Sequence, residues 1–277
     1  MKRPASLSLP AELPDASMSE FDGTRYLHLG ETPWVQGAMR IRQPRLLVLE
    51  YIQRMMAGLL WLPLDRWDGA RVTQLGLGAA SLTRFTHQVM HLPTTVVELN
   101  PQVIGACRQW FKLPADDDLL QVHNADAADW VADPAHARSA ELLQIDLYDH
   151  EAAAPVLDSA AFYAQCRELL APGGVLAVNL FGRDASFARS TARLAEAFGA
   201  AQVRRFGATR EGNTIVLARR ASGDPLEDAW PPRAELLARA EHIETTWKLP
   251  ATKWLRSLKA VKPATADAAP APVDALA

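Results

Sequence analysis

Between residues 71 and 220 short apolar runs alternate with amphipathic helical segments, and this alternation leaves few folds open. The runs fall at 72–75, 95–99, 119–123, 142–145 and 175–180, each long enough for one strand. Asn100-Pro101 reads as the start of a helix carrying Val103, Ile104, Cys107, Trp110 and Phe111. Asp158 reads as the cap of a helix that ends at Pro172-Gly173-Gly174, and Asp184 as the cap of the next. Two further strands, 202–206 and 213–218, are joined by a connection short enough for a hairpin, so the last strand runs antiparallel. The expected fold is α/β: a Rossmann-like doubly wound seven-stranded sheet with an antiparallel last strand.

The flanks are of different character. Residues 1–20 are Pro/Ser/Ala-rich and are expected to be flexible. Asp22-Gly23 is a hairpin signal, and residues 21–69 read as a small β-element followed by a helix that opens at Pro44. In that helix Leu46, Leu49, Ile52, Met56 and Leu59 form the apolar stripe. The Rossmann-like unit spans 70–220, C-terminal helices occupy 221–260, and an Ala/Pro-rich tail at 261–277 is expected to be disordered.

Composition removes several function classes. A formal charge of −3 and scattered basic residues give no basic stripe for nucleic acid. The longest apolar stretch, 55–64, is short for a bilayer span and is broken by Pro63, and no signal-like run follows Met1, so the expected setting is cytoplasmic and not membrane-bound. The two cysteines, Cys107 and Cys166, fall on apolar helix faces and make neither a metal spacing nor a disulfide framework. No metal is expected.

The turn Gln74-Leu75-Gly76-Leu77-Gly78-Ala79-Ala80-Ser81 joins the first strand to its helix. Gly76 suits the tight turn, Gly78 lets backbone approach a ligand, and Ser81 stands where a dinucleotide fingerprint has its third glycine. Glu98, 20 residues after Gly78, closes the second strand, where a carboxylate accepts hydrogen bonds from ribose hydroxyls. Asp126 follows the third strand, where an acid can meet the adenine amine; an aspartate there is also an ordinary helix cap. The three together favour an adenosyl ligand over a dinucleotide.

The fourth strand ends in Asp146-Leu147-Tyr148-Asp149-His150, over the reactive end of such a ligand. Two carboxylates there, Asp146 and Asp149 with Tyr148 between them, suit a cationic amine: one can hold an ammonium, and the other can accept a proton as the amine attacks.

The chain resembles the spermidine synthase (polyamine aminopropyltransferase) family from about Phe21 to Arg219. The resemblance rests on Asp22-Gly23 and Gln36, the glycine turn with Arg84 after it, and Val97-Glu98-Leu99-Asn100-Pro101-Gln102-Val103-Ile104. It extends through Asn124-Ala125-Asp126, the Asp146 and Asp149 pair, and Phe162-Tyr163 before Leu170-Ala171-Pro172-Gly173-Gly174. It implies that Asp146 is the base on the attacking amine, that Asp149 holds the polyamine, and that Gln36, Glu98 and Asp126 contact the nucleoside donor. The implied donor is decarboxylated S-adenosylmethionine, or S-adenosylmethionine itself. The partner is a small-molecule amine, and a homodimer is allowed.

The sequence departs from the family at three places. Ala79 stands where the family carries an acid against the donor's amine. The Tyr-His-Glu-Met-x-x-His stretch reads Gln53-Arg54-Met55-Met56-Ala57-Gly58-Leu59, and after the acid pair the chain reads His150-Glu151-Ala152-Ala153-Ala154. Two alternatives therefore stand beside aminopropyl transfer. One is a small-molecule methyltransferase. The other is a non-catalytic adenosyl-binding protein that works through exposed Trp247 and Trp254.

Overall fold

The computed structural model describes residues 13–31, 35–147, 157–181 and 186–261. Tyr148, Asp149 and the Asp184 cap lie outside them, as does the tail beyond 261.

An antiparallel three-stranded sheet comes first: β1 (Ala16–Phe21), β2 (Thr24–Leu29) and β3 (Gly37–Arg40). Asp22 and Gly23, both at positive φ, make the β1–β2 turn. The first strand thus begins at Ala16, inside the stretch expected to be loose. Its side chains are almost all exposed, and cross-strand pairing with β2 holds it rather than burial.

The helix expected from Pro44 begins later. α1 is Glu50–Met55, followed by a 3-10 turn at Met56–Leu60. Leu46 is exposed, and the Gln53 side chain donates to the Leu47 carbonyl at 2.8 Å, which keeps the segment before α1 in turns.

The main sheet contains β4 (Val72–Leu75), β5 (Thr94–Glu98), β6 (Leu120–Asn124), β7 (Ala140–Ile145), β8 (Leu170–Phe181), β9 (Val203–Arg205), β10 (Asn213–Arg219) and a two-residue edge piece, β11 (Lys259–Ala260). The order is β11-β9-β10-β8-β7-β4-β5-β6. β4 to β8 are parallel, and β10 runs antiparallel between β8 and β9, as the sequence predicts. The eighth strand is an addition to the expected seven. Chain order runs outward from β4 to β6 and then returns to the other side of β4 at β7. The switch point therefore lies between β4 and β7, where open α/β sheets bind their ligands.

Helices cover both faces. α2 (Ser81–Gln88), α3 (Pro101–Trp110), α4 (Ala127–Ala132), α5 (Ala160–Leu169) and α6 (Ser186–Phe198) follow the strands. Asn100 caps α3 by accepting from Gln102 N at 2.9 Å, as read from the sequence. α5 is capped by Ser159 instead of Asp158. The Asp158 carboxylate is taken by Tyr163 Oη, Ser190 Oγ and Arg193, which tie α5 to α6.

After α7 (Pro225–Asp228), α8 (Arg233–Trp247) and α9 (Ala251–Ser257) return to the sheet. Leu236, Ala240, Ile243 and Trp254 share one core with Leu59, Trp61, Val72, Leu142, Ile215 and Leu217. Trp254 is 3% exposed, and Trp247 packs against Trp67 with ring centroids 5.5 Å apart. Trp254 is a core side chain and Trp247 is half-buried against that core, so neither is the exposed aromatic considered above. Trp254→Ala should cost about 3–5 kcal/mol in reversible unfolding, the usual range for an aromatic deleted from a core. A change below about 1 kcal/mol would contradict the shared core.

Candidate active site at the sheet switch point

Gly76 continues β4 beyond the sheet at φ +91°, a conformation that favours glycine. Its N–H donates to Val97 O at 2.9 Å, and Asp146 N donates to Leu75 O at 2.9 Å. A Cβ on Gly76 would stand 2.3 Å from the Asp146 carbonyl oxygen. The absent side chain is what lets the turn after β4 and the end of β7 lie side by side.

The rest of the turn is tethered from several directions. Cys107 Sγ donates to Gly78 O at 3.1 Å, and Arg84 donates to Ala79 O at 2.7 Å. Arg84 is fully buried and also donates to Pro44 O and Phe111 O. Its acceptors are carbonyl and hydroxyl oxygens, and burial pulls its pKa down to about 10. Burial pushes the Cys107 thiol up to about 12, so it acts as a neutral donor. Gly37 of β3 sits so close that a Cβ there would meet the Ala79 Cβ at 2.6 Å. Ala79 therefore faces the small N-terminal sheet.

Glu98 ends β5 with both carboxyl oxygens on backbone: Oε2 accepts from Leu77 N at 2.9 Å and Oε1 from Asn100 N at 2.8 Å. Burial raises its pKa, and those amides pull it back down. Asp126 is a helix cap: Oδ1 accepts from Ala128 N at 2.6 Å at the start of α4, and the side chain stays exposed.

Asp146 is likewise held on both carboxyl oxygens. Oδ1 accepts from Asn179 Nδ2 at 2.8 Å and Oδ2 from Tyr51 Oη at 3.3 Å. Burial raises its pKa, and the two donors lower it in part. Tyr51 and Asn179 were not singled out in the sequence. Tyr51 lies two residues before the stretch that departs from the family, and Asn179 sits inside an apolar strand run.

Gln36, Tyr51, Gly76, Gly78, Ala79 and Asp146 line one cleft. Gln36 Nε2 is buried there with no hydrogen-bond partner among the described residues. A buried amide donor without an acceptor is what a ligand oxygen or ring nitrogen would satisfy. The enclosed part of the cleft is about 20 Å³, room for one water, so a nucleoside would extend along the strand ends toward Glu98 and Asp126. A larger hollow of about 360 Å³ lies at the opposite, amino-terminal ends of β4, β5 and β6, away from these residues. Structure thus brings Gln36, Gly76, Gly78 and Asp146 together, with Glu98 tied to the same turn through Leu77. Asp126 stands apart at the β6 end.

The chain is 32% identical to a polyamine aminopropyltransferase of Chromobacterium violaceum over 257 residues, covering 92% of this chain and 93% of that one. It is 31% identical to a polyamine aminopropyltransferase of Neisseria meningitidis serogroup A over 253 residues, 90% of this chain and 91% of that one. Among solved structures it resembles a probable spermidine synthase from Corynebacterium glutamicum, with TM-score 0.64, 19% identity, and coverage of 96% and 100%. It also resembles human methyltransferase-like protein 13 in complex with SAH, with TM-score 0.62, 24% identity, and coverage of 73% and 93%. These two likenesses show the fold. No family model matches the chain.

The turn itself can be tested with two glycines. Gly76→Ala should destabilise by at least about 1–3 kcal/mol, from strained backbone plus the clash with Asp146. Gly105→Ala, in an exposed part of α3 with open space around it, should instead stabilise by about 0.5–1 kcal/mol. Urea titration of both variants measures the signs, and equal effects would contradict the close approach described.

Proposed function

Because the chain belongs to the polyamine aminopropyltransferase family, we propose that its transfer chemistry takes place in the cleft between Gly76, Gln36 and Asp146. The protein is a transferase, and its reaction class is aminopropyl transfer in polyamine metabolism. It takes a donor of the S-adenosylmethionine type and a small-molecule amine as acceptor. In this proposal the donor is the decarboxylated form and the setting is cytoplasmic.

The carrying observation is the position of Asp146. It is a buried carboxyl at the switch point, in backbone contact with the glycine turn, held by one donor on each oxygen. Attack requires a neutral amine. Asp146 takes the proton from the ammonium form, and its raised pKa brings its proton affinity closer to that of the amine. The nitrogen lone pair then forms a bond to the methylene carbon next to sulfonium. The carbon–sulfur bond breaks and sulfur keeps the electron pair as a neutral thioether. Sulfonium is already a good leaving group, so the scheme needs no metal. The protein supplies alignment and the base.

Residue roles on the donor side follow the same reading. Glu98 uses its remaining lone pairs to accept the ribose hydroxyls, while its backbone bonds hold the turn. Gln36 Nε2 finds its acceptor on the donor. Asp126 keeps Oδ1 on the α4 cap and offers Oδ2 to the adenine amine. Asp149 and Tyr148 are assigned to the amine, in the segment after Asp146.

One observation favours a second reading. Ala79 stands where the family sets an acid against the donor's amine, and Gln36 Nε2 is a donor without an acceptor among the described residues in the same cleft. Both features accommodate the carboxylate of intact S-adenosylmethionine, whose transferable group is methyl.

Asp146→Asn should lower turnover about 100-fold or more while donor affinity by calorimetry barely moves. A turnover close to wild type would remove Asp146 as the base. Glu98→Ala should weaken donor binding by about 1.5–3 kcal/mol, the scale of a lost charge-assisted hydrogen bond. Unchanged affinity in a folded variant would remove Glu98 from the donor site.

A further inference from the structure

We propose that Asn179, oriented by Asn213, is a positioning residue that sets the direction and proton affinity of the Asp146 carboxyl. The proposal rests on the reading of Asp146 as the base, and its test separates the two.

The two asparagines lie on adjacent antiparallel strands. Asn179 of β8 pairs with Ile215 of β10, and Asn213 pairs with Phe181, so the two side chains are diagonal neighbours on the sheet. Asn179 is buried. Its Nδ2 donates to Asp146 Oδ1 at 2.8 Å, and its Oδ1 accepts from Asn213 Nδ2 at 3.1 Å. An amide can present either its oxygen or its nitrogen to a neighbour. Here the oxygen accepts from Asn213 Nδ2 and the nitrogen faces Asp146, whose carboxylate can only accept. A chain of two amides thus delivers a fixed N–H to one carboxyl oxygen. Tyr51 supplies the other donor from α1, on the far oxygen.

This arrangement has a chemical consequence. An N–H held on the carboxyl favours its charged form, so Asn179 offsets part of the burial that favours the neutral form. Without Asn179 the carboxyl would hold its proton to higher pH. An apolar residue at 179 would leave Oδ1 buried and unpaired.

Among the described residues few other charges face Asp146. Tyr51 is the titratable side chain that touches it among the described residues, and the rest of the cleft lining is uncharged. On α1, Arg54 pairs with Glu50 and donates to Gly207 O. On α2, Arg84 is directed to the carbonyls of Pro44, Ala79 and Phe111. Glu98 lies on the far side of the turn with both oxygens on backbone amides.

The placement also gives the antiparallel end of the sheet a role in the site. Asn213 is the first residue of β10, directly after the hairpin connection from β9. Thr209 N donates to Asn213 O at 2.7 Å, so the hairpin holds the start of β10 in place. The orientation of Asp146 therefore depends on a strand that contributes nothing to the donor turn.

The test reads Asp146 directly. Protein labelled with ¹³C at aspartate carboxyls is titrated by NMR, with Asp146→Asn used to assign the Asp146 signal. Asn179→Ala should raise the Asp146 midpoint by about one pH unit or more, the scale of a lost hydrogen bond to a charged group. Asn213→Ala should raise it less, and should add nothing in the Asn179→Ala background, because both act through one chain. Asn213 does not touch Asp146, so its variant keeps the proposal testable should Asn179→Ala fail to fold.

The acid limb of kcat/KM is measured on the same variants. An upward shift that matches the NMR midpoint supports both the positioning role and the base. A midpoint that moves while the acid limb stays supports the positioning role and rejects Asp146 as the base. A midpoint unchanged in folded Asn179→Ala or Asn213→Ala overturns the proposal, whatever happens to the rate.

Discussion

The site depends on one close approach of backbone to backbone at the carboxyl end of β4. Gly76 passes so near the Asp146 carbonyl that no side chain fits between them. β4 is flanked by β5 on one side and β7 on the other, with both pairings parallel. The glycine turn and Asp146 are therefore set by the same hydrogen-bonded ladder. Loss of that register would separate the two. Much of the surrounding sequence serves to hold this contact. Glu98 anchors Leu77, Cys107 anchors Gly78, and Gly37 makes room for Ala79.

Arg84 shows how firmly the turn is held. A fully buried guanidinium is costly unless its N–H groups are met. Its partners are three backbone carbonyls and the Ser81 hydroxyl, contributed by the segment before α1, the glycine turn and the end of α3. One side chain thus fastens three segments distant in sequence. The same economy recurs at Asp158, which links α5 to α6 through Tyr163, Ser190 and Arg193. Both residues are polar struts between segments distant in sequence.

Much of the fold was legible because burial on two faces writes apolar runs into parallel strands. The strands at 72–75 and 175–180, the Asn100 cap and the antiparallel last strand all followed from local pattern. β1 was missed because it buries almost nothing, so its sequence carries no apolar alternation. The start of α1 was misplaced because Leu46 matches the stripe in spacing yet stays exposed. In the site, glycines and strand-end acids were readable from their positions relative to strands. Tyr51 and Asn179 were not, because each meets Asp146 only through tertiary placement, one across α1 and the other across β8. Their partner is 95 residues away in one case and 33 in the other, and no short motif encodes that.

The family relationship gives the reaction class, while Ala79 marks where this chain departs from its relatives' pattern. The substitution concerns the donor's tail, so the identity of the transferred group is the most direct question. Mass spectrometry of products from the wild-type protein, given a panel of diamines with either decarboxylated or intact S-adenosylmethionine, answers it. The account predicts an amine enlarged by an aminopropyl group, formed only with the decarboxylated donor. A methylated amine formed from the intact donor, with no aminopropylated product, would contradict it.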